Sequence, residues 1–296
     1  MPTLSFIITT HKRPDDAMEC IDSILAQAYD DLEVVVVTSP AGDATGRLTE
    51  YATDPRVTVV EEPSRRGPAA AGNVAFESAS GEIIVSVDDD VVFPDSDAAG
   101  RIVEEFEADS GLGILAFRIV DYDTGRTHDH EIPVGRNGQE PERGQPTTYC
   151  IGAGAAFRAE AVDATAGYPE RFHYHMQELD LSFQILDQGY EAVYEPAIVV
   201  RHKRSTPGRP DDLLRWRLSL ENRLRVAIRH LPVRYIVSSI VVWSMFVLYR
   251  TRGSLPTVLT AYRNLLADRD VLLSQRDVIG PETRRHVRER GGRLWY

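Results

Sequence analysis

With 296 residues, of which 43% are hydrophobic and 26% charged, the chain can bury a core, and its two cysteines are too few for a disulfide framework. Residues 1–200 carry 13 Lys and Arg against 37 Asp and Glu, whereas residues 201–296 carry 20 against 8. The acidic body argues against nucleic acid as the main partner, because phosphates would repel it, and the basic C-terminal region favours an anionic membrane surface.

The N-terminal sequence predicts a strand rather than a secretion leader, since MPTLSFIITT lacks a basic segment followed by a long apolar one. We therefore expect a cytoplasmic protein. Only Lys12 and Lys203 are lysines among the 33 basic residues, and arginine preference with an acidic excess is typical of proteins from salt-loving archaea. A GC-rich genome is the alternative explanation of the arginine usage.

The first 90 residues alternate between strand and helix patterns. Short apolar runs rich in β-branched residues predict strands at 4–10, 31–39, 57–60 and 82–87, and helical patterns lie between them at 14–28 and 67–80. This alternation predicts an α/β fold with a doubly wound, mostly parallel sheet and helices on both faces. Ligands of such sheets bind beyond the carboxyl ends of the strands, so the residues there form the candidate site.

Beyond residue 110 the pattern is less regular. The sequence predicts a strand at 113–123, an irregular excursion at 127–146, a strand running through a glycine-rich turn into a helix at 147–162, a helix at 179–190 and two short strands within 191–202. Gly189 is the expected C-cap of the helix at 179–190, because glycine readily adopts the left-handed conformation that ends a helix.

The C-terminal region, 206–296, is predicted to be a helical segment appended to an α/β domain at 1–205. Residues 211–231 form a basic amphipathic pattern, in which apolar side chains recur every three or four positions between arginines. The fifteen uncharged, mostly apolar residues at 235–249 would make a helix of about 22 Å, short of the roughly 30 Å hydrocarbon core. This segment therefore lies in a membrane interface, dips into the membrane, or packs as a core helix.

Three consecutive aspartates, Asp88, Asp89 and Asp90, follow the strand at 82–87. Adjacent carboxylates repel one another, and a divalent cation with oxygen ligands would neutralise them. The alternative is a solvated acidic turn, or N-caps of the helix that follows. Hydroxyl and cationic side chains that suit phosphate and ribose follow the other predicted strands: Thr9, Thr10, His11, Arg13, Thr38 and Arg66. Their presence favours the interpretation of the three aspartates as a metal site.

Four segments together resemble the nucleotide-sugar glycosyltransferases of family two, which have the GT-A fold. They are LSFIITTHKRPD, RRGPAAAGNVAFESASGEIIVSVDDD, CIGAGAAFRAEAV and FHYHMQELDLSFQILDQGYEAVYEPAIVVRH, in the family's order. The resemblance covers residues 3–205 and implies a Rossmann-like GT-A domain followed by the membrane-associating segment. The chain is also similar to haloarchaeal members that take part in surface-glycoprotein glycosylation.

The resemblance implies a role for each matching residue. Glu178 is the implied general base, with Asp180 as second choice, whose alternative role is to stabilise the N-terminus of its helix. The implied metal is Mg²⁺ or Mn²⁺, held by Asp90 and His202. The implied nucleotide-sugar pocket contains Thr9, Thr10, His11, Arg13, Thr38, Arg66, Asn73, Asp88 and Asp89, and the implied acceptor side contains Gly152, Gly154 and His175.

The sequence departs from the family's pattern in two places. The second strand ends at 38–40 in Thr-Ser-Pro, where the family usually has two acids that grip the nucleobase, so both a UDP-sugar and a GDP-sugar remain open as donors. Gln177 replaces the first acid of the pair at the start of the helix, so that one carboxylate remains. The His-x-His pairs at 128–130 and 173–175 could bind a transition metal, but neither has a cysteine or a third histidine close by in the sequence.

These features predict a metal-dependent, inverting glycosyltransferase at the cytoplasmic face of the membrane. Its implied acceptor is a hydroxyl of a glycan linked to polyprenyl or dolichyl phosphate. One alternative is a membrane-associated nucleotide-sugar-binding protein that has lost turnover. A sugar nucleotidyltransferase is a weaker alternative, because that chemistry favours a glycine-rich loop after the first strand and THKRPDD has no glycine.

Overall fold

The computed structural model describes residues 2–38, 44–62, 67–133, 141–207, 210–292 and 294–295. The strands are β1 (Leu4–Thr10), β2 (Leu32–Thr38), β3 (Val57–Glu61), β4 (Ile83–Asp88), β5 (Val91–Val92), β6 (Leu112–Asp121), β7 (Gln145–Thr147), β8 (Gly154–Arg158) and β9 (Glu191–His202). The α-helices are α1 (Pro14–Leu25), α2 (Ala44–Leu48), α3 (Pro68–Ser78), α4 (Ala98–Ala108), α5 (Ala159–Asp163), α6 (Gln177–Asp187), α7 (Asp212–His230), α8 (Val233–Arg250), α9 (Leu255–Ala267), α10 (Arg269–Ser274) and α11 (Pro281–Glu289). Short 3₁₀ turns lie at Tyr51–Thr53 and Asp129–Glu131.

The strands form one sheet in the order β3-β2-β1-β4-β8-β6-β9-β5, with β7 paired to β9. The first four strands are parallel, as the alternating pattern predicts, and β6 and β9 are also parallel. β8 runs antiparallel between β4 and β6. Helices α1 and α4 pack on one face of the sheet and α3 and α6 on the other, so the predicted α/β fold with two covered faces is confirmed.

Two predictions for the second half of the sheet are wrong. At 147–162 the glycine-rich turn precedes the strand, because Gly154 opens β8 where a Cβ would crowd Phe117 and Val200. Residues 191–202 form one strand, and its register against β6 shifts between Glu195 and Val199. Pro196 lies in that shift and has no N–H to donate, which accounts for a bulge in place of a break.

The C-terminal region is helical, as predicted, and α7 lies at its centre. Both α8 and α9 pack against α7 through a small apolar cluster that includes Leu220, Leu224, Val258 and Leu265. The helix predicted at 235–249 is longer than expected and spans Val233–Arg250. Among the described residues it is the one helix that is long and apolar enough to cross a membrane, by length and composition alone.

Candidate active site

The candidate site lies at the carboxyl ends of β1 and β4, beside the end of β9. Because β8 is antiparallel to β4, the turn that leads into β8 lies next to the end of β4. Val91, directly after the aspartate triplet, pairs with His202 at the end of β9. The topology therefore brings together segments 9–13, 88–90 and 202–205, which are far apart in sequence.

Asp89 is fully buried and holds the loop that follows β1. Thr10 Oγ1 donates a hydrogen bond of 2.7 Å to Asp89 Oδ2, and the Arg13 guanidinium lies 2.5 Å from Asp89 Oδ1. Burial raises the pKa of Asp89 to about 7, although Arg13 and Thr10 act in the opposite direction. The side chain is closed to solvent, so Asp89 positions Thr10 and Arg13, and its predicted direct contact with the nucleotide is not what the structure indicates.

The Asp90 side chain contacts side-chain and backbone groups from the other two segments of the site. Its Oδ1 lies 3.3 Å from His202 Nε2, and its Oδ2 accepts hydrogen bonds from Arg13 Nη1 at 3.0 Å and the Ser205 backbone N–H at 2.7 Å. Burial acts to raise the pKa of Asp90, but His202 and Arg13 outweigh it and lower the pKa to about 2. Asp90 is therefore a carboxylate at any physiological pH.

Asp88, Asp90 and His202 fit a divalent cation. One ligand atom from each lies within 4.8 Å of the other two, and this is the one such group of three or more ligands in the described residues. Both ring nitrogens of His202 are buried, and neither makes a hydrogen bond with another described residue. Burial lowers the pKa of His202, but the neighbouring carboxylates outweigh it and raise the pKa to about 9. Two carboxylates and one imidazole suit Mn²⁺ or Mg²⁺, as predicted for Asp90 and His202.

Glu131 lies behind His202 and was not predicted. It comes from the irregular excursion after β6 and is 6% exposed. Its Oε1 lies 3.8 Å from His202 Nδ1, and its Oε2 lies 2.5 Å from an Arg204 guanidinium nitrogen. Nothing in the local sequence distinguishes this buried glutamate from the exposed acids around it, because its burial depends on the fold of a polar loop.

Glu178 lies beyond Asp88, in the first turn of α6. Its carboxylate faces Gly152 in the turn before β8, where the Cβ of any other residue would collide with Oε1. Gln177 Nε2 donates a hydrogen bond of 2.7 Å to the same oxygen. Burial raises the pKa of Glu178 to about 7, and the nearby charge of Asp88 adds to this effect. A carboxylate with a pKa near 7 is well matched to general-base catalysis at neutral pH.

The loop before α6 is held in an uncommon conformation by α7. His175 and Met176 both have positive φ angles, 60° and 74°, which are unfavourable for residues with side chains. The fully buried Asn222 of α7 donates hydrogen bonds to the carbonyl oxygens of Tyr174 and His175, at 2.6 and 3.1 Å. His175 is exposed, and its ring meets the Tyr174 ring edge to face, with 3.8 Å between the ring centroids. Asn222 thus fixes the entry to the helix that carries Glu178.

Asp180 and Asn73 have structural partners that account for their polar atoms. The fully buried Asp180 lies 3.0 Å from Arg229 Nε and 3.0 Å from His230 Nε2, so it joins α6 to α7 and has no surface open to solvent. Asn73 exchanges two hydrogen bonds of 2.8 Å with the backbone of Tyr168, which fixes the chain after α5 against α3. These two predicted site residues are therefore positioning residues in the structure.

The other predicted site residues are spread around the same end of the sheet. Gly154 packs under Phe117 inside the sheet and does not face the cleft. Thr9, beside Asp88 in the β1–β4 register, and His11 are partly exposed at the end of β1, whereas Thr38 at the end of β2 is buried. Arg66 lies outside the described residues. Neither His-x-His pair joins a third ligand in the part of the chain that the structure describes.

Comparisons with known proteins agree with this architecture. The model of the family "Glycosyl transferase family 2" matches residues 5–165. The succinoglycan biosynthesis protein ExoO of Rhizobium meliloti is 36% identical over 109 residues, which are 36% of this chain and 31% of that protein. The chain therefore spans less than a third of the length of this curated relative.

Two solved structures share the fold at low sequence identity. A mannosyltransferase from Pyrobaculum calidifontis, in complex with GDP-Man and Mn²⁺, superposes with a TM-score of 0.62 at 24% identity, over 90% of this chain and 75% of its own. GalNAc-T7, with UDP, GalNAc and Mn²⁺, superposes with a TM-score of 0.63 at 14% identity, over 78% of this chain and 49% of its own. At these identities the likeness establishes the fold alone.

Proposed function

The chain belongs to glycosyl transferase family 2, and we propose that it is a metal-dependent, inverting glycosyltransferase that uses a nucleotide-sugar donor. The observation that carries the proposal is the position of Asp88 between the candidate metal ligands and the candidate general base. On one side it joins Asp90 and His202 in the candidate metal group, and on the other its charge raises the pKa of Glu178. A donor diphosphate and an acceptor hydroxyl could therefore meet within one cleft.

Glu178 is the general base in this proposal. Its carboxylate accepts the proton of the acceptor hydroxyl while the hydroxyl oxygen attacks the anomeric carbon of the donor sugar. The bond between that carbon and the diphosphate oxygen breaks as the glycosidic bond forms. Because the attack comes from the face opposite the diphosphate, the configuration of the anomeric carbon inverts. With a pKa of about 7, Glu178 is ionised in a large fraction of molecules at neutral pH and is a stronger base than an ordinary carboxylate.

Asp88, Asp90 and His202 would hold Mg²⁺ or Mn²⁺ on the diphosphate side. When bound, the cation would offset the negative charge that the diphosphate gains as it leaves. Arg13, fixed by Asp89 and Asp90, lies at the same edge and contributes a permanent positive charge. Either a UDP-sugar or a GDP-sugar is compatible with these groups, since phosphate contacts do not distinguish the nucleobase.

We further propose that the acceptor is a glycan carried on polyprenyl or dolichyl phosphate at the cytoplasmic face of the membrane. The basic, helical C-terminal region supports this part of the proposal, because residues 201–296 carry 20 of the 33 Lys and Arg residues. The acidic excess of residues 1–200 supports an origin in a salt-loving organism, where ions would screen the repulsion, and a role in surface-protein glycosylation.

A donor panel tests the proposal. Purified protein is incubated with UDP- and GDP-sugars with and without Mn²⁺, and release of the nucleoside diphosphate and inversion at the anomeric carbon are followed. We expect turnover that depends on the metal, and loss of turnover in Glu178→Gln with nucleotide affinity retained. Tight nucleotide binding by the wild-type protein with no turnover of any donor would instead indicate a binding protein.

A further inference from the structure

The large hydrophobic side chains that are exposed among the described residues all lie in the C-terminal region. Every large hydrophobic side chain that is exposed lies at or after Leu213, and eight of them lie on α8. None lies on the α/β part of the described chain, which exposes a polar surface. Monomeric soluble proteins rarely expose contiguous apolar surface of this kind, so the C-terminal helices require a partner.

The exposed side chains of α8 and α9 form what we call the apolar face: Val237, Val241 and Met245 on α8, with Leu255, Leu259 and Leu266 on α9. On α8 they recur at every fourth residue, which places them on one side of the helix. Both helices pack their opposite sides against α7, and Ser244 of α8 is hydrogen-bonded to Tyr262 of α9 at 2.5 Å. The two helices therefore turn apolar sides away from the protein together.

Cations and aromatic rings border this face. Arg234 and Arg250 lie at the two ends of α8. The Arg250 guanidinium lies 4.5 Å from the Trp216 ring, and the Arg223 guanidinium lies 3.6 Å from the Trp243 ring. Arginine and tryptophan side by side, around an apolar centre, suit the boundary between anionic lipid headgroups and acyl chains.

The contacts made after α8 decide how that helix meets the membrane. Asp268, at the end of α9, lies 2.8 Å from Arg225 of α7 and 2.5 Å from Arg171 of the α/β part. Further along the chain, the Gly280 backbone N–H donates to Asp187 of α6 at 2.7 Å. If α8 crossed the bilayer, α9 would begin on the far side of the membrane, and its 13 residues, about 20 Å in length, could not return across a core of about 30 Å. The contacts of Asp268 and Gly280 with the protein on the near side therefore argue that α8 does not span.

We propose that α8 and α9 lie in the plane of the membrane interface and dock the protein on an anionic lipid bilayer through the apolar face. The inference names the helices and the orientation through which the proposed glycosyltransferase would meet the membrane, and in that respect it rests on the proposed function. The geometry itself depends on α7, which packs against both helices and against α6, the helix of Glu178. A docked enzyme would thus hold its acceptor cleft at a fixed distance from the lipid surface.

Vesicle flotation of the full chain tests the docking. We use vesicles of phosphatidylcholine with phosphatidylglycerol, and vesicles of phosphatidylcholine alone. The wild-type protein should float with the anionic vesicles and more weakly with the neutral ones. The double variant Met245→Glu/Leu259→Glu should lose at least about tenfold in partitioning, because two apolar anchors are replaced by charges. Ala108→Glu, an exposed position at the end of α4, adds the same kind of charge away from the face and should float like the wild type.

Thiol labelling tests the in-plane geometry. Both native cysteines are buried, so an introduced cysteine is the reactive one. Asp95→Cys lies before α8 and Asp270→Cys after it, and both positions are exposed. On sealed vesicles, a membrane-impermeant maleimide should label both variants equally. Protection of the second position alone would show that α8 spans, and would overturn the in-plane proposal.

The remaining outcomes separate this inference from the proposed function. A wild-type protein that turns over its donor but does not float, or a double variant that floats like Ala108→Glu, overturns the docking alone. A protein that floats but has no turnover contradicts the glycosyltransferase alone. If sedimentation shows a wild-type dimer that the double variant lacks, with no difference in flotation, the face binds a second copy and the lipid assignment is wrong.

Discussion

Asp180 of α6 forms a buried ion pair with Arg229 of α7, with 3.0 Å between Asp180 Oδ2 and Arg229 Nε. The pair joins the helix that carries Glu178 to the first helix of the C-terminal region. Because both side chains are at least 95% buried, removing one would leave the other as an uncompensated charge in the interior. The α/β part and α7 are therefore expected to unfold together.

Arg229→Met should destabilise the protein by about 3–5 kcal/mol, as measured by denaturant unfolding, because Asp180 loses its main cationic partner. Arg269→Met is the matched control, since Arg269 is 68% exposed and its ion-pair partner among the described residues is the exposed Asp270. It should change the free energy of unfolding by less than about 1 kcal/mol. Equal effects of the two substitutions would mean that the buried pair does not link α6 to α7.

The pKa of Glu178 predicts an acidic limb in the activity profile. Below about pH 7 the carboxyl group is protonated and cannot accept a proton, so kcat/KM should fall about tenfold for each pH unit. Glu178→Gln should have low activity and lack this limb. An activity profile of the wild-type protein that is flat from pH 5 to 8 would contradict the assignment of Glu178 as the base.

The same group predicts a change of stability with pH. Burial raises the pKa of Glu178 from an ordinary value of 4.5 to about 7, so the folded state binds this proton more tightly than the unfolded state does. Its contribution is fully present below pH 4.5 and is lost as the pH rises through 7, when a buried charge must form. At pH 8, metal-free Glu178→Gln should therefore be more stable than the wild type by up to about 3 kcal/mol, and at pH 4.5 the difference should vanish. Thermal unfolding at both pH values measures it.

Substitution of Glu131 should weaken metal binding less than substitution of a direct ligand. A carboxylate behind a metal-binding histidine orients the ring and fixes its tautomer, and its loss commonly weakens metal binding about 10–100-fold. Glu131→Gln should show that loss in calorimetric titration with Mn²⁺, whereas Asp90→Asn should abolish binding. Asp121→Asn is a control, because Asp121 also faces Arg204, at 3.8 Å, but does not contact His202. An unchanged affinity in Glu131→Gln would show that the residue only packs the loop.

The sequence predicts the parallel half of the sheet well because the determinants there are local. The runs at 4–10 and 82–87 are rich in consecutive apolar residues, as strands buried on both faces require, and the structure places β1 and β4 within them or one residue beyond. The aspartate triplet is visible for the same reason, since it follows a buried strand directly. The different roles of the three aspartates cannot be predicted from the sequence, because packing alone decides that the Asp89 side chain is buried while the Asp88 side chain is 48% exposed.

The rest of the site depends on contacts between distant segments. Glu131 contacts His202, which lies 71 positions later in the sequence. Asn222 fixes the backbone before α6 although it belongs to α7, which begins 25 residues after α6 ends. Neither residue belongs to a local pattern. Asn73 shows the converse. Its place in a family-like motif predicts nucleotide binding, whereas in the structure its side-chain amide forms hydrogen bonds with the Tyr168 backbone. Residue type and spacing thus identify candidates, and long-range packing selects among them.

Gly152 offers a test of the geometry of the base that leaves the metal group untouched. A Cβ at this position would collide with Glu178 Oε1, so Gly152→Ala must displace the carboxylate from its place beside Gln177. We expect kcat to fall by about 100-fold, since a displacement near 1 Å is enough for such a loss, while Mn²⁺ affinity is unchanged. Gly100→Ala is the matched control, because a Cβ there, within α4, meets no atom within 4 Å. It should leave kcat unchanged and stabilise the helix slightly. Full activity of Gly152→Ala would mean that Glu178 moves freely in the cleft and that its observed position is not the catalytic one.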